Sequence, residues 1–177
     1  MPTIPTHAAA AVSIGTLFPR RLVPRRWWIV GAACAIVPDF DVIGFRFGVH
    51  YEDILGHRGF THSLVFAALL SLVALRTSIE GGQRAAIWTY LFIAIASHGI
   101  LDALTNGGLG IALLAPFDDR RIFFPVRPIE VSPIGLTGFF REGGAAVLAS
   151  ELLWVWLPAV LIATIGVCFV QRHRGPR

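Results

Sequence analysis

Two histidines, an arginine and two hydroxyl residues fall within seven positions, His57-Arg58-Gly59-Phe60-Thr61-His62-Ser63, at the mouth of an apolar run. Other polar residues are scattered through apolar surroundings: His7, Asp39, Asp41, His98 and Asp102. A charge in such surroundings is costly unless it is paired or holds a metal. His98 and Asp102 are spaced i, i+4, which puts them on one helix face. Asp39 and Asp41, two apart in an extended stretch, point the same way. Mixed imidazole and carboxylate donors suit zinc, manganese, iron or nickel. The seven candidates can supply one ion with supporting residues, or two ions about 3.5–4 Å apart.

Each residue also has a plainer role. His98 and Asp102 can form a buried intrahelical pair, and Asp39 can cap a helix beside Pro38. Thr61 and Ser63 read better as caps than as nucleophiles. Arg58 can neutralise a neighbouring aspartate or the phosphate of a substrate. The joint pattern is stronger than any single residue, because four separate segments bring the same ligand chemistry.

The elements that must position these residues read as follows. Thr6 can cap a short apolar helix over 7–18, about 18 Å long at 1.5 Å per residue. Pro19 to Arg26 interrupts it with four arginines. A second apolar helix over 27–37 stops at Pro38. Both are shorter than the roughly 20 residues of a full membrane span. Residues 38–61 form a Gly-containing loop, and Thr61 can cap a helix over 62–75. After a turn at 76–84 comes a long apolar helix over 85–105, ended by Asn106-Gly107-Gly108. Residues 106–144 form a long loop with short strands near Val126–Ile129, and loops of this length are usually functional. The last apolar segment, 145–170, is the clearest transmembrane helix, interrupted by Glu151 and Pro158.

Composition fixes the class. Apolar residues make up 55% of the 177 and charged residues only 15%, against about 25% charged in soluble domains. The mean hydropathy is +0.67. The expected fold is all-α, a polytopic membrane helical bundle forming one domain, with a polar metal site at one membrane face. The net charge is +4. Most of its arginines cluster in short loops and the tail, with Arg120, Arg121, Arg127 and Arg141 in the long loop where the charge rule is weak, which points to topology and anionic headgroups rather than nucleic acid. Cys34 and Cys168 lie inside apolar runs and read as small core residues. The start has no basic stretch before the first apolar run, so a cleaved signal peptide is not expected, and neither end carries a lipidation motif.

Arginines concentrate at 19–26, 76–84 and the tail. If five segments alternate across the bilayer, these regions share the cytoplasmic side. All seven candidates then meet at the extracytoplasmic end, although none of them entered the charge count.

Thr6-His7, Pro38-Asp39-Phe40-Asp41, the His57–Ser63 element and His98-Gly99-Ile100-Leu101-Asp102, in this order, resemble the YdjM-like family. The resemblance covers about residues 5–130. It implies an inner-membrane, metal-dependent hydrolase of a bacterial or archaeal cell. The chain is more distantly similar to the zinc-dependent phospholipase C enzymes, which implies a phosphodiester or phospholipid substrate. The expected function is therefore hydrolysis of a phosphoester in a lipid or lipid-linked molecule, with one or two divalent ions, zinc foremost and manganese or iron as alternatives. The expected ligands are His7, His57, His62, His98 and Asp102. Asp39 and Asp41 are ligands or the general base, and Arg58 stabilises charge on the phosphate. Phe117, Phe123, Phe124, Phe139 and Phe140 are expected to seat the long loop in the membrane interface. A metal-free lipid phosphatase would show a Pro-Ser-Gly-His element, which is absent, as is any lysine. The non-enzymatic alternative is an ion or proton pathway, or a metal-stabilised structural protein.

Overall fold

The computed structural model describes residues 1–75, 81–134, 136–141 and 143–170. The architecture is an all-α membrane bundle. Its first helix, α1, runs Ile4–Thr16, earlier than expected. Pro5 explains the early start, because a first-turn residue donates no intrahelical bond that proline would remove. Thr3, not Thr6, occupies the N-cap position. Thr6 lies inside the helix and is fully buried.

After Pro24, α2 covers Arg25–Ile36. The chain does not open into a loop at Pro38. It tightens into a 3-10 helix, Val37–Phe47, with Pro38 in its first turn. Proline is tolerated there for the same reason as at Pro5. Gly48, at φ 82°, ends this winding. Together, Arg25–Phe47 is long and apolar enough to cross a membrane, as are Gly82–Ala103 and Gly144–Val170.

A short 3-10 turn, Phe60–His62, precedes α3, Leu64–Ala74. Ser63 is the cap: its Oγ accepts from Phe66 N at 3.1 Å. The Thr61 hydroxyl is instead committed to Asp41. Of the expected turn at 76–84, residues 76–80 lie outside the described residues, and α4 already runs from Gly81 to Ala103. The 104–134 segment contains no strand among the described residues. Its expected strand pairing is reduced to two isolated bridges, Thr105 with Ile129 and Ile111 with Ile122. A short α5, Leu136–Arg141, follows within the expected loop.

The last span comprises α6, Gly144–Glu151, a π-helical turn, Leu152–Trp156, then α7, Leu157–Ile165, and a second π turn, Gly166–Val170. Pro158 lacks an N–H for the carbonyl four residues back, and the helix absorbs this by widening just before it. Trp154 and its neighbours Leu152, Leu153 and Leu157 face outward, as a lipid-facing helix requires.

Helix α1 packs against α2, α4 and α7. At one end of the bundle Val23, Trp27, Leu75 and Ile87 share a core with Ala11 and Tyr90. Gly31 makes this possible, since a Cβ there would stand 2.2 Å from the Tyr90 hydroxyl. That hydroxyl donates to the Ala11 and Trp28 carbonyls. At the same end, Gln83 Nε2 donates to Arg21 O at 2.8 Å, tying the start of α4 to the arginine loop. The opposite end gathers the buried charged and histidine residues. Cys34 and Cys168 are free and half-buried.

Candidate metal centre

Four elements converge at the polar end. Helix α1 brings His7, the 3-10 helix brings Asp39 and Asp41, the 57–62 stretch brings His57, Arg58 and His62, and α4 brings His98 and Asp102. His7, Arg58, His98 and Asp102 have no exposed surface, and Asp39, His57 and His62 have 3% or less. Such burial of polar groups in an apolar bundle needs a compensating partner for each atom.

Around one point the partners are missing. Asp39 Oδ1 lies 3.3 Å from His98 Nε2 and 3.7 Å from His62 Nε2. Asp102 Oδ2 lies 3.5 Å from His62 Nε2, and Asp102 Oδ1 lies 3.6 Å from His7 Nε2. The His7 ring stacks on His98 at 3.8 Å between centroids. Both Asp39 oxygens, both Asp102 oxygens and the Nε2 atoms of His7, His62 and His98 make no hydrogen bond. Ligands about 2.0–2.1 Å from a tetrahedral ion stand about 3.4 Å apart. The gaps of 3.3, 3.5 and 3.7 Å match that spacing. Asp39, His62, His98 and Asp102 form a buried group that could hold a metal ion.

The opposite edge of each ring is fixed. His98 Nδ1 is 2.7 Å from the Ala35 carbonyl, an acceptor only, so Nδ1 carries the proton and Nε2 keeps its lone pair. His62 Nδ1 lies 3.3 Å from Asp41 Oδ2 and 3.0 Å from the Thr61 hydroxyl. These are the contacts that orient imidazole ligands around metals. The His62 backbone carbonyl also passes close to α4. A Cβ at Gly99 would stand 2.5 Å from it, so only glycine lets His62 approach His98.

Asp41 stands behind the ring of donors. It accepts from His57 Nδ1 at 2.7 Å, from the Thr61 hydroxyl at 2.7 Å and from the Arg58 N–H at 3.3 Å. Asp41, His57 and His62 form a second close group, but both Asp41 oxygens are already engaged. A 3-10 helix turns about 120° per residue, so Asp39 and Asp41 reach opposite edges of His62 instead of pointing the same way.

Arg58 is held deep in the protein at φ 65°. Its Nε pairs with Asp102 Oδ2 at 3.2 Å, one terminal nitrogen donates to Gly107 O at 2.6 Å and the other to Thr105 Oγ1 at 2.9 Å. Its backbone accepts from Ala112 N at 3.0 Å. These bonds hold a backbone conformation that non-glycine residues rarely adopt.

His57 borders a cavity of about 470 Å³ together with Tyr51, Gly108, Glu130 and Ile134. The Tyr51 ring meets His57 edge-on at 5.3 Å. Sequence reasoning did not find Tyr51, Thr105 or the Ala35 carbonyl. Thr105, three residues past Asp102, was within reach of the helix repeat, whereas a backbone carbonyl leaves no trace in the sequence.

The family model for the YdjM inner membrane protein matches residues 1–175. The chain belongs to this YdjM family. It is 41% identical over 175 residues to the inner membrane protein YbcI of Escherichia coli, covering 98% of this chain and 100% of that one. An uncharacterized Bacillus subtilis protein, YvsG, is 38% identical over 93 residues, covering 49% of this chain and 54% of its own length. No solved structure matches the chain. This YdjM-family chain is therefore an integral membrane protein of the bacterial inner membrane.

Proposed function

We propose that the protein is a metal-dependent hydrolase acting on a phosphoester of a lipid or lipid-linked substrate. The observation that carries this reading is the set of buried, unbonded Nε2 and carboxylate atoms converging on one point. Asp39, His62, His98 and Asp102 are the ligands, with His7 Nε2 as the fifth donor. The donor gaps of 3.3–3.7 Å and the mixed nitrogen and oxygen donors suit zinc, with manganese or iron as alternatives. These residues would hold a divalent ion, which would supply a water activated at neutral pH and Lewis-acid polarisation of a phosphoryl oxygen.

The remaining residues take supporting roles. Asp41 holds His57 through Nδ1, which leaves Nε2 to receive or return a proton at the cavity side. Arg58 fixes Asp102 and offsets its charge. A cavity of about 470 Å³ suits a polar headgroup. Phe117 and Phe140 are more than four-fifths exposed on the 104–143 segment, which supports contact with the membrane interface where a lipid arrives. The arginine loop lies at the far end of the bundle, and by the positive-inside rule this supports a site on the extracytoplasmic side. The gathering of polar groups at one end favours a site over an ion pathway, whose charges would be distributed through the membrane depth.

The test uses detergent-purified protein, elemental mass spectrometry and release of phosphate or headgroup from phospholipids and lipid-linked phosphates in mixed micelles. The expected result is near-stoichiometric metal and chelator-sensitive turnover, both lost in Asp102→Asn with membrane insertion unchanged. Wild-type turnover in that variant overturns the assignment. Bound metal without turnover on any phosphoester moves the reading to a metal-stabilised structural protein.

A further inference from the structure

Glu151 lies in the last membrane span, yet it is almost fully buried and points into the bundle. Its partners all come from the first turn of α1. Oε1 accepts from Thr3 N at 2.5 Å. Oε2 accepts from the Thr3 hydroxyl at 2.7 Å and from the Thr6 hydroxyl at 2.6 Å. Thr6 Oγ1 in turn accepts from Trp156 Nε1 at 2.9 Å. Glu151 and Trp156 are five apart, the spacing that the π-helical turn brings into line. The widening of the helix thus lets both residues grip the same hydroxyl.

We propose that Glu151 is a positioning residue for the metal centre, clamping the start of α1 so that His7 is set against Asp102 and His98. This rests on the reading of His7 as a ligand. Three observations support it. His7 follows Thr6 directly, so a shift of the α1 backbone at Thr6 carries the His7 ring with it. Both ring nitrogens of His7 lack a hydrogen bond, so no hydrogen bond of its own side chain fixes the ring. A carboxylate at a helix N-terminus also satisfies a backbone N–H and meets the positive end of the helix dipole, which makes the clamp specific for α1. Glu151 therefore ties the last span to the site, although it lies outside the ligand ring.

The experiment compares Glu151→Gln, His7→Ala and the double variant of the full chain in detergent, by zinc competition titration and by the cobalt absorption spectrum. Thr6→Val probes the same clamp from its other side. Loss of an outer partner of a ligand typically weakens metal binding 10–100-fold. The expected result is a loss of about 10-fold in Glu151→Gln and Thr6→Val, a changed cobalt spectrum, and no further loss when Glu151→Gln is added to His7→Ala. A clamp that only stabilises the fold would alter the unfolding temperature of the metal-free protein and leave the cobalt spectrum unchanged. That outcome overturns the inference, as do fully additive losses in the double variant. Wild-type zinc binding in Glu151→Gln beside weakened binding in His7→Ala overturns the clamp but spares the metal centre. Absence of binding in the wild-type protein overturns both.

Discussion

Stripping the ion from the centre and restoring it should move the unfolding temperature by an amount that the cluster itself sets. Asp39, Asp41 and Asp102 bring three carboxylates against the single Arg58 guanidinium. With the imidazoles neutral, as ion binding requires, the formal balance is two negative charges left for the ion. A divalent ion bound to those imidazoles would cancel both, and it would bind the folded state alone because four elements must meet to form the site. Folding stability then rises by RT ln(1 + [L]/Kd), about 2.7 kcal/mol at a free ion concentration 100 times Kd. In a chain of this size each kcal/mol moves Tm by about 2–4 °C. Reloading should therefore raise Tm by roughly 5–11 °C. The five tryptophans allow the transition to be followed by intrinsic fluorescence in detergent. Chelator-stripped protein is compared with samples reloaded with zinc, manganese or ferrous iron. His98→Ala should lose the shift. Asp39→Asn should also lose it. An identical Tm before and after reloading with every ion, or a shift that survives in both variants, refutes the reasoning.

Metal uptake should release a proton and strengthen with pH. Burial disfavours the charged His62 ring, but the Asp39, Asp41 and Asp102 carboxylates around it outweigh this and raise its pKa to about 9. A ligand must be neutral, so apparent affinity should rise about tenfold per pH unit below that value, measured by calorimetry in buffers of different ionisation enthalpy. Asp41→Asn should weaken binding by about 10–100-fold without removing a ligand, read by competition with a coloured chelator. Arg58→Ala should leave Asp102 buried without its counter-charge and destabilise the protein by about 3–5 kcal/mol, measured by unfolding in mixed micelles.

The helical class and membrane setting were legible because hydropathy is a sum over residues and needs no knowledge of their contacts. The ligand chemistry was legible because a His or Asp in an apolar segment costs free energy wherever it ends up, so each one marks a site of interaction. The spacing of His98 and Asp102 was readable because a helix repeats regularly. Boundaries were less so. Pro5 and Pro38 read as punctuation, yet each sits in a first turn where its missing N–H breaks no bond. Thr61 and Ser63 are both cap residues by type, and only the location of Asp41 decides that Thr61 turns away and Ser63 caps α3.

The sequence by itself determined what kind of protein this is: an apolar, helical, membrane-embedded chain of the YdjM type, with an excess of buried imidazole and carboxylate. Those properties follow from side-chain chemistry and local repeat, and they survive any small change in packing. Only the tertiary structure decided how the polar groups divide their work. It turned the Nε2 atoms of His7, His62 and His98 toward Asp39 and Asp102, and set Asp41 behind His57 and His62. It committed Arg58 to Asp102 and drew Glu151 onto the start of α1. These assignments depend on which edge of a ring faces which oxygen across segments far apart in the chain, and such distances arise only when the helices pack.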